Sequence, residues 1–309
     1  MKPRIILAGG SGFLGRALAE HFIAQQCEVI VLTRTPHERH DGAKEIAWDA
    51  KSSGDWVTCL EGADCVINLV GKSVDCRYTE KNRKVIIASR VDSTRVIGEA
   101  IAQCKLPPRV WLNSSSATLY KHTFDQPMDE SGEVGATPEA KDAFSIEVIR
   151  QWERAFAEAC VPATRKVALR TTMVFGKNGG VFPVLRRLAR FGLGGKMGSG
   201  RQFVSWLHIA DFIRAIEWLM AADDFSGAVN LAAPNPLPNC DMMRLMREAC
   251  GVPFGLPATK WMLECGAFFI RTETELIIKS RRVVPGRLLA SGFQFQYATL
   301  RAAVKNLCD

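Results

Sequence analysis

Residues 5–15, Ile-Ile-Leu-Ala-Gly-Gly-Ser-Gly-Phe-Leu-Gly, restrict the fold of this chain more than any other stretch. An apolar run typical of a buried parallel strand passes straight into glycines at 9, 12 and 15, and these open a helix. The turn after such a strand must let backbone come close to a ligand, which a residue without a Cβ allows, so Gly9 and Gly12 suit the turn. Gly15 lets the new helix pack closely on the strand. The unpaired N–H groups at the helix start would then face an anion. Gly9, Ser11, Gly12, Phe13, Leu14 and Gly15 together read as a cradle for the pyrophosphate of a dinucleotide. An amphipathic helix (Ala17, Leu18, His21, Phe22) and a second strand, Glu28 to Leu32, complete a βαβ unit of the expected size.

The same alternation continues. Strands are expected at Glu45 to Trp48, Cys65 to Leu69, Val110 to Ser114 and Arg165 to Arg170, with helices from Glu80 to Cys104 and Phe144 to Cys160. This is the rhythm of an α/β protein with a Rossmann-type doubly wound parallel sheet. After Gly176 the composition shifts to glycine-rich loops, at 177–180 and 192–200, around the helix Phe182 to Arg190. The predicted division is a dinucleotide-binding domain over residues 1–175, with returning segments near 206–232, and a smaller, mostly helical substrate-cleft and C-terminal lobe over 176–309. Within that lobe Asp241 is the expected cap of one helix, and helices are expected over Trp261 to Phe269 and Glu273 to Lys279.

With 309 residues, 47% of them apolar, the chain can bury a large core. It has no run of about 18 apolar residues and no signal-peptide pattern at its start, so a soluble, cytoplasmic protein with no membrane contact is expected. Ten scattered cysteines form no Cys-x-x-Cys pair, which predicts reduced thiols and no metal site. The net charge of +8 leaves nucleic acid and phosphorylated small molecules open. The basic clusters at 81–84, 186–187 and 279–282 sit in apolar helical patterns without interleaved aromatics, so they read as solvated helix faces and no nucleic-acid partner is expected.

In this fold the end of the second strand meets the adenosine ribose, where a carboxylate suits a free 2′-hydroxyl and an arginine a 2′-phosphate. Here the strand ends Val31-Leu32-Thr33-Arg34, with no acid. Thr33 and Arg34 therefore favour NADP(H) over NAD(H).

The chain resembles the extended short-chain dehydrogenase/reductases, and more closely their atypical epimerase family branch. The resemblance rests on Gly9 to Gly15, Ile67 to Gly71, Ser89 to Thr94, Ser114 to Tyr120 and Gly192 to His208, and on a tail from Val284 to Leu300 like that branch's small C-terminal domain. It implies that Asp49 lies near adenine, that Leu69, Val70 and Gly71 line the adenosine and phosphate path, that Arg90 reaches back to the cofactor, and that Val174 meets the nicotinamide end.

Enzymes of that superfamily use a serine to bind the substrate oxygen, a tyrosine to move the proton and a lysine to stabilise the phenolate. Ser116 matches the serine. The Tyr-x-x-x-Lys pair is missing: if Trp152-Glu153 fixes the helix register, Ser145 and Ile149 fall where it would stand. Tyr120, four residues past Ser116, is the substitute proton donor considered first, with Lys141, Arg201 and His208 as further candidates. Arg201 and His208 are expected at the substrate cleft. Two functions follow: an oxidoreductase or epimerase on a small carbonyl or sugar-derived substrate, and a noncatalytic NADP(H)-binding sensor. The long helices Glu80 to Cys104 and Phe144 to Cys160 correspond to the usual superfamily dimer surface, which implies a homodimer.

Overall fold

The computed structural model describes residues 2–259, 261–262 and 275–309. Its centre is a seven-stranded, all-parallel sheet built from β1 (Arg4–Ala8), β2 (Glu28–Thr33), β3 (Lys44–Ala47), β4 (Cys65–Asn68), β5 (Val110–Ser116), β6 (Arg165–Thr171) and a later strand, Gly227–Leu231. The spatial order is Gly227–Leu231, β6, β5, β4, β1, β2, β3. The sheet is covered on both faces, which is why its strands read as continuous apolar runs.

Alternate residues of β1 show how this works. Ile5 and Leu7 pack with Leu18 and Phe22 of α1 (Phe13–Ala24) and with Phe212 and Ile216 of the helix Ile209–Ala221. Ile6 and Ala8 pack on the other side with Val96 and Ile97 of α2 (Glu80–Gln103) and Phe156 of α3 (Ala143–Glu158). All four β1 residues are fully buried, and each large aliphatic side chain contributes about 1.5–3 kcal/mol of transfer free energy.

The chain runs outward from β1 to β3 and then returns to lay β4 on the opposite side of β1. This switch opens a crevice beyond the carboxyl ends of β1 and β4, where doubly wound sheets bind ligands. Gly9 and Leu69 lie at its floor: Gly9 N–H donates to Leu32 O at 3.0 Å and Leu69 N–H to Ala8 O at 2.9 Å.

Two local expectations shift. The segment Trp206–His208 joins a small sheet with Met173–Gly176 and Gly179–Gly180, and the returning strand of the main sheet is Gly227–Leu231. The helix expected to be capped by Asp241 starts at Asn239, after Pro238, whose extended backbone ends the preceding strand. The helix expected over Trp261 to Phe269 lies outside the described residues beyond Met262, as do Glu273 and Thr274; the described part of the next one is Glu275–Ile278. A second core gathers Phe175, Phe182, Trp206, Met243, Met246 and Val304.

Candidate cofactor and substrate site

The glycine cradle has the geometry its sequence requires. Gly9 has φ 74°, and a Cβ there would stand 2.8 Å from Val70 Cγ2. A Cβ on Gly15 would stand 2.6 Å from the carbonyl carbon of Gly10, so the helix sits directly on the turn. A Cβ on Gly12 would meet open space. Gly12 is also the N-cap of α1, without a side-chain capping bond, and the first turn carries no acid. The N–H groups of that turn and the positive end of the helix dipole are thus left for an anion. Phe13 has a role the sequence did not disclose. Its ring fills a slot formed by Gly176, Gly179 and Gly180, where any Cβ would overlap or crowd it, and so ties the glycine-rich loop to the start of α1.

At the end of β2, Thr33 is half-buried and Arg34 is exposed, with no side-chain hydrogen bond or ion pair among the described residues. Asp49, also exposed, accepts from Lys51 N, Ser52 N and Ser52 Oγ. Those bonds hold its carboxyl down to about 2, so its charge is already committed to a local turn.

Leu69, Val70 and Gly71 leave β4 at the crevice. A Gly71 Cβ would lie 3.1 Å from Arg90 Cζ, so the guanidinium rests on the bare glycine. Arg90 also donates to Ile86 O at 3.0 Å and lies 5.2 Å from the Trp152 ring centroid. Desolvation brings its pKa down to about 10. No carboxylate pairs with it among the described residues, and a partly buried cation lacking an acid is suited to a bound anion. Val174, expected to touch a ligand, has its side chain in the sheet core at 8% exposure.

Ser116 ends β5, and its Oγ accepts from Thr118 N at 3.2 Å. Tyr120 is placed differently from its expected role. It is 1% exposed, donates to Asn230 Oδ1 at 2.8 Å and accepts from Arg170 at 3.1 Å. Burial pushes its phenol above the ordinary range, so it serves the packing between strands. His208 is likewise buried, at 3% exposure: its Nδ1 accepts from Ala210 N at 3.1 Å as a helix cap, and its ring packs against Tyr297 at 3.9 Å, tilted by 33°. Arg201 is exposed, with its guanidinium 5.9 Å from the Phe124 ring centroid. Lys141 is exposed, at φ 53°.

The basic run at 279–282, expected as a solvated helix face, is instead a strap across the end of the sheet. Arg281 N donates to Phe203 O, Val283 N to Ser205 Oγ and Val284 N to Met128 O. Lys279 is 2% exposed. It pairs with Asp142 and donates to Thr118 O at 2.6 Å, while Arg281 donates to Thr118 Oγ1 at 3.0 Å. Four residues before Lys279, the Glu275 carboxylate accepts from the Ser145 hydroxyl and from Tyr78 Oη at 3.3 Å. Ser145 is thereby bonded to the segment that leads into the strap.

A sequence profile of the NAD dependent epimerase/dehydratase family matches residues 5–232, nearly three quarters of the chain. The chain belongs to this family. Residues 258–307 match a domain of unknown function that accompanies the family domain here. The human epimerase family protein SDR39U1 is 29% identical over 307 residues, covering 98% of this chain and 99% of that protein. A crystal structure of human SDR39U1 (isoform 2) with NADPH superposes with a TM-score of 0.86 at 28% identity, covering 99% of each chain. A nucleoside-diphosphate sugar epimerase from Corynebacterium glutamicum, 26% identical, superposes at 0.78 over the whole of this chain and 58% of its own. The family's Rossmann-like sheet is the one described above.

Proposed function

We propose that this family member binds NADP(H) and acts as an oxidoreductase or epimerase on a small carbonyl or sugar-derived substrate. The observation that carries the reading is the pairing of an uncapped, acid-free helix start at Gly12 with the free cation of Arg34 after β2. The first suits a pyrophosphate and the second a 2′-phosphate. The presence of NADPH in the crystal structure of the human relative supports the same choice. The residues fit the cofactor. Gly9, Gly12 and Gly15 would take the pyrophosphate with the N–H groups of Ser11, Phe13 and Leu14, and Thr33 and Arg34 the adenosine phosphate. Leu69, Val70, Gly71 and Arg90 would follow the path toward nicotinamide. When bound, the nicotinamide supplies or accepts a hydride. Ser116 Oγ, at the strand end, would hold the substrate oxygen.

Fluorescence titration with NADPH and NADH tests this, repeated for Arg34→Ala. NADPH is expected to bind more tightly, with the preference lost in the variant; equal affinities in the wild type would overturn the cofactor assignment. Absorbance screening of NADPH oxidation against assorted carbonyl compounds then tests catalysis. A second reading, a noncatalytic cofactor sensor, is favoured by Ser145 and Ile149 standing where Tyr and Lys would. It predicts tight NADPH binding with no oxidation.

A further inference from the structure

The tripeptide Phe-Gly-Leu occurs at 191–193 and again at 254–256, and the fold lays the two side by side. Leu256 N–H donates to Gly192 O at 2.7 Å, and Gly195 N–H donates to Leu256 O at 3.1 Å. A Cβ on Gly192 would stand 2.7 Å from Phe254 Cε2, so the Phe254 ring rests on the facing glycine. Glycine is needed on the inner side of this ribbon. A Cβ on Gly194 would meet the Ala189 backbone at 2.8 Å, and one on Gly195 the Leu256 backbone at 2.4 Å. Arg247 lies beneath it, donating to Gly194 O at 2.6 Å. Gly192 and Gly194 are buried, whereas Phe191, Leu193, Phe254 and Leu256 are each 49–74% exposed. Bare glycines press inward and four large apolar side chains stand out.

The helix Phe182–Arg190 extends this face. Val184 and Arg187 are both exposed, and they precede Phe191 by seven and four residues, which puts all three on one helical stripe. Arg190 and Lys196, also exposed, flank the first tripeptide. From Lys177 to Ala210 the chain carries six lysines and arginines and no acid, and residues 249–262 carry Lys260 and no acid. The acids that adjoin these stretches are engaged: Asp211 accepts from Gln296 N and Tyr297 N, and Glu248 pairs with Arg244 and Arg301.

Single exposed apolar residues are ordinary on a protein surface, but a contiguous apolar face marks a contact. Three features identify the occupant. The side chains protrude, which suits a soft phase they can enter. Cations surround them without acids, the composition of an interfacial segment that meets anionic headgroups. A second copy of the same face would bring like charges together. We propose that this face docks on an anionic lipid bilayer, with Phe191, Leu193, Phe254 and Leu256 entering the headgroup boundary and Arg187 meeting lipid phosphates. The contact is peripheral, since no described helix is long and apolar enough to cross a membrane.

Cosedimentation of the full chain with vesicles tests this, and docking needs no dinucleotide, so the outcome is separate from the proposed chemistry. Vesicles of equal parts phosphatidylcholine and phosphatidylserine should bind the chain at least about tenfold more tightly than phosphatidylcholine alone, and added salt should release it. Phe191→Ser combined with Leu256→Ser should weaken binding at least about tenfold, with the thermal midpoint and NADPH affinity close to wild type. Phe191→Trp, which keeps an interfacial aromatic, should retain it. Arg187→Glu with Arg190→Glu should remove most of the preference for phosphatidylserine. No sedimentation of the wild type with either vesicle, equal binding to both, or full binding by the double serine variant overturns the proposal. Self-association in ultracentrifugation that the double serine variant abolishes, without vesicle binding, would assign the face to a second copy and overturn it as well.

Discussion

Lys279 and Asp142 form an ion pair in the interior of the protein, with side chains 1% and 0% exposed. It joins the strap to the start of α3. Asp142 Oδ1 also accepts from Thr137 N at 2.9 Å, and Lys279 spends a second donor on Thr118 O. Removing one partner of such a pair leaves an uncompensated buried charge, which costs about 3–5 kcal/mol. Lys279→Met is therefore expected to lower unfolding stability by that amount in urea denaturation. Lys279→Met combined with Asp142→Leu should recover much of the loss, because neither charge then has to be desolvated. Equal loss in single and double variants would mean that the strap is held by its backbone bonds alone.

Gly71 and Arg90 give a prediction that separates binding from folding. A methyl group at Gly71 would stand 3.1–3.4 Å from the Arg90 guanidinium, and its three nearest atoms all belong to the far end of that flexible side chain. In Gly71→Ala the fold should tolerate the change while Arg90 moves off its seat. Losing a charge-assisted hydrogen bond of about 1.5 kcal/mol corresponds to roughly a tenfold weaker NADPH dissociation constant. Calorimetric titration checks the affinity, and a thermal melt should show a midpoint close to wild type. Unchanged affinity would separate Arg90 from the cofactor path.

Gly15 makes the opposite case, because its neighbour cannot yield. The atoms nearest to a Cβ there are the Gly10 backbone, which is fixed by the turn that follows β1. Gly15→Ala must push α1 away from the sheet, at about 1–3 kcal/mol for forced overpacking. The same displacement moves the N–H groups of the first turn. Denaturant midpoint and NADPH affinity should fall together. Loss of affinity with full stability would contradict this origin.

The sheet and its cradle were legible because their signals are local. The continuous apolar runs of β1, β2 and β4 and the spacing of Gly9, Gly12 and Gly15 each report on contacts within one βαβ unit. The strap was not legible. Lys279-Ser280-Arg281-Arg282 has the composition of a solvated face, and its meaning depends on Asp142 and Thr118, 137 and 161 positions away along the sequence numbering. The contact between Tyr78 and Glu275 is equally remote from any local pattern, its partners standing 197 residues apart. Tyr120 drew attention through its closeness to Ser116 in sequence, yet strand geometry buries its hydroxyl against Asn230. Periodicity reports which face of an element is buried; it does not report which distant segment covers a polar group.

His208 links the fold to pH. Its imidazole is held below the ordinary 6.5, first by burial, with the nearby Asp211 charge opposing the shift. The neutral ring accepts the Ala210 N–H through Nδ1, a bond the protonated ring cannot make. An imidazole whose folded-state pKa is depressed binds fewer protons in the native than in the unfolded state. Its contribution is therefore fully present above 6.5 and is lost as pH falls below that value toward the depressed one. Unfolding free energy should decline in acid from about pH 6.5 downward. In His208→Asn the carboxamide oxygen can still cap the helix, and no proton is taken up. That variant should lose some stability at pH 8 with the Tyr297 ring contact, yet show a flatter slope between about pH 7 and 5. His122, also lowered, by burial and then by Lys279, leaves a residual slope in the variant. Urea titrations at stepped pH measure both, and an unaltered slope in His208→Asn would assign the acid sensitivity to His122 and the carboxylates.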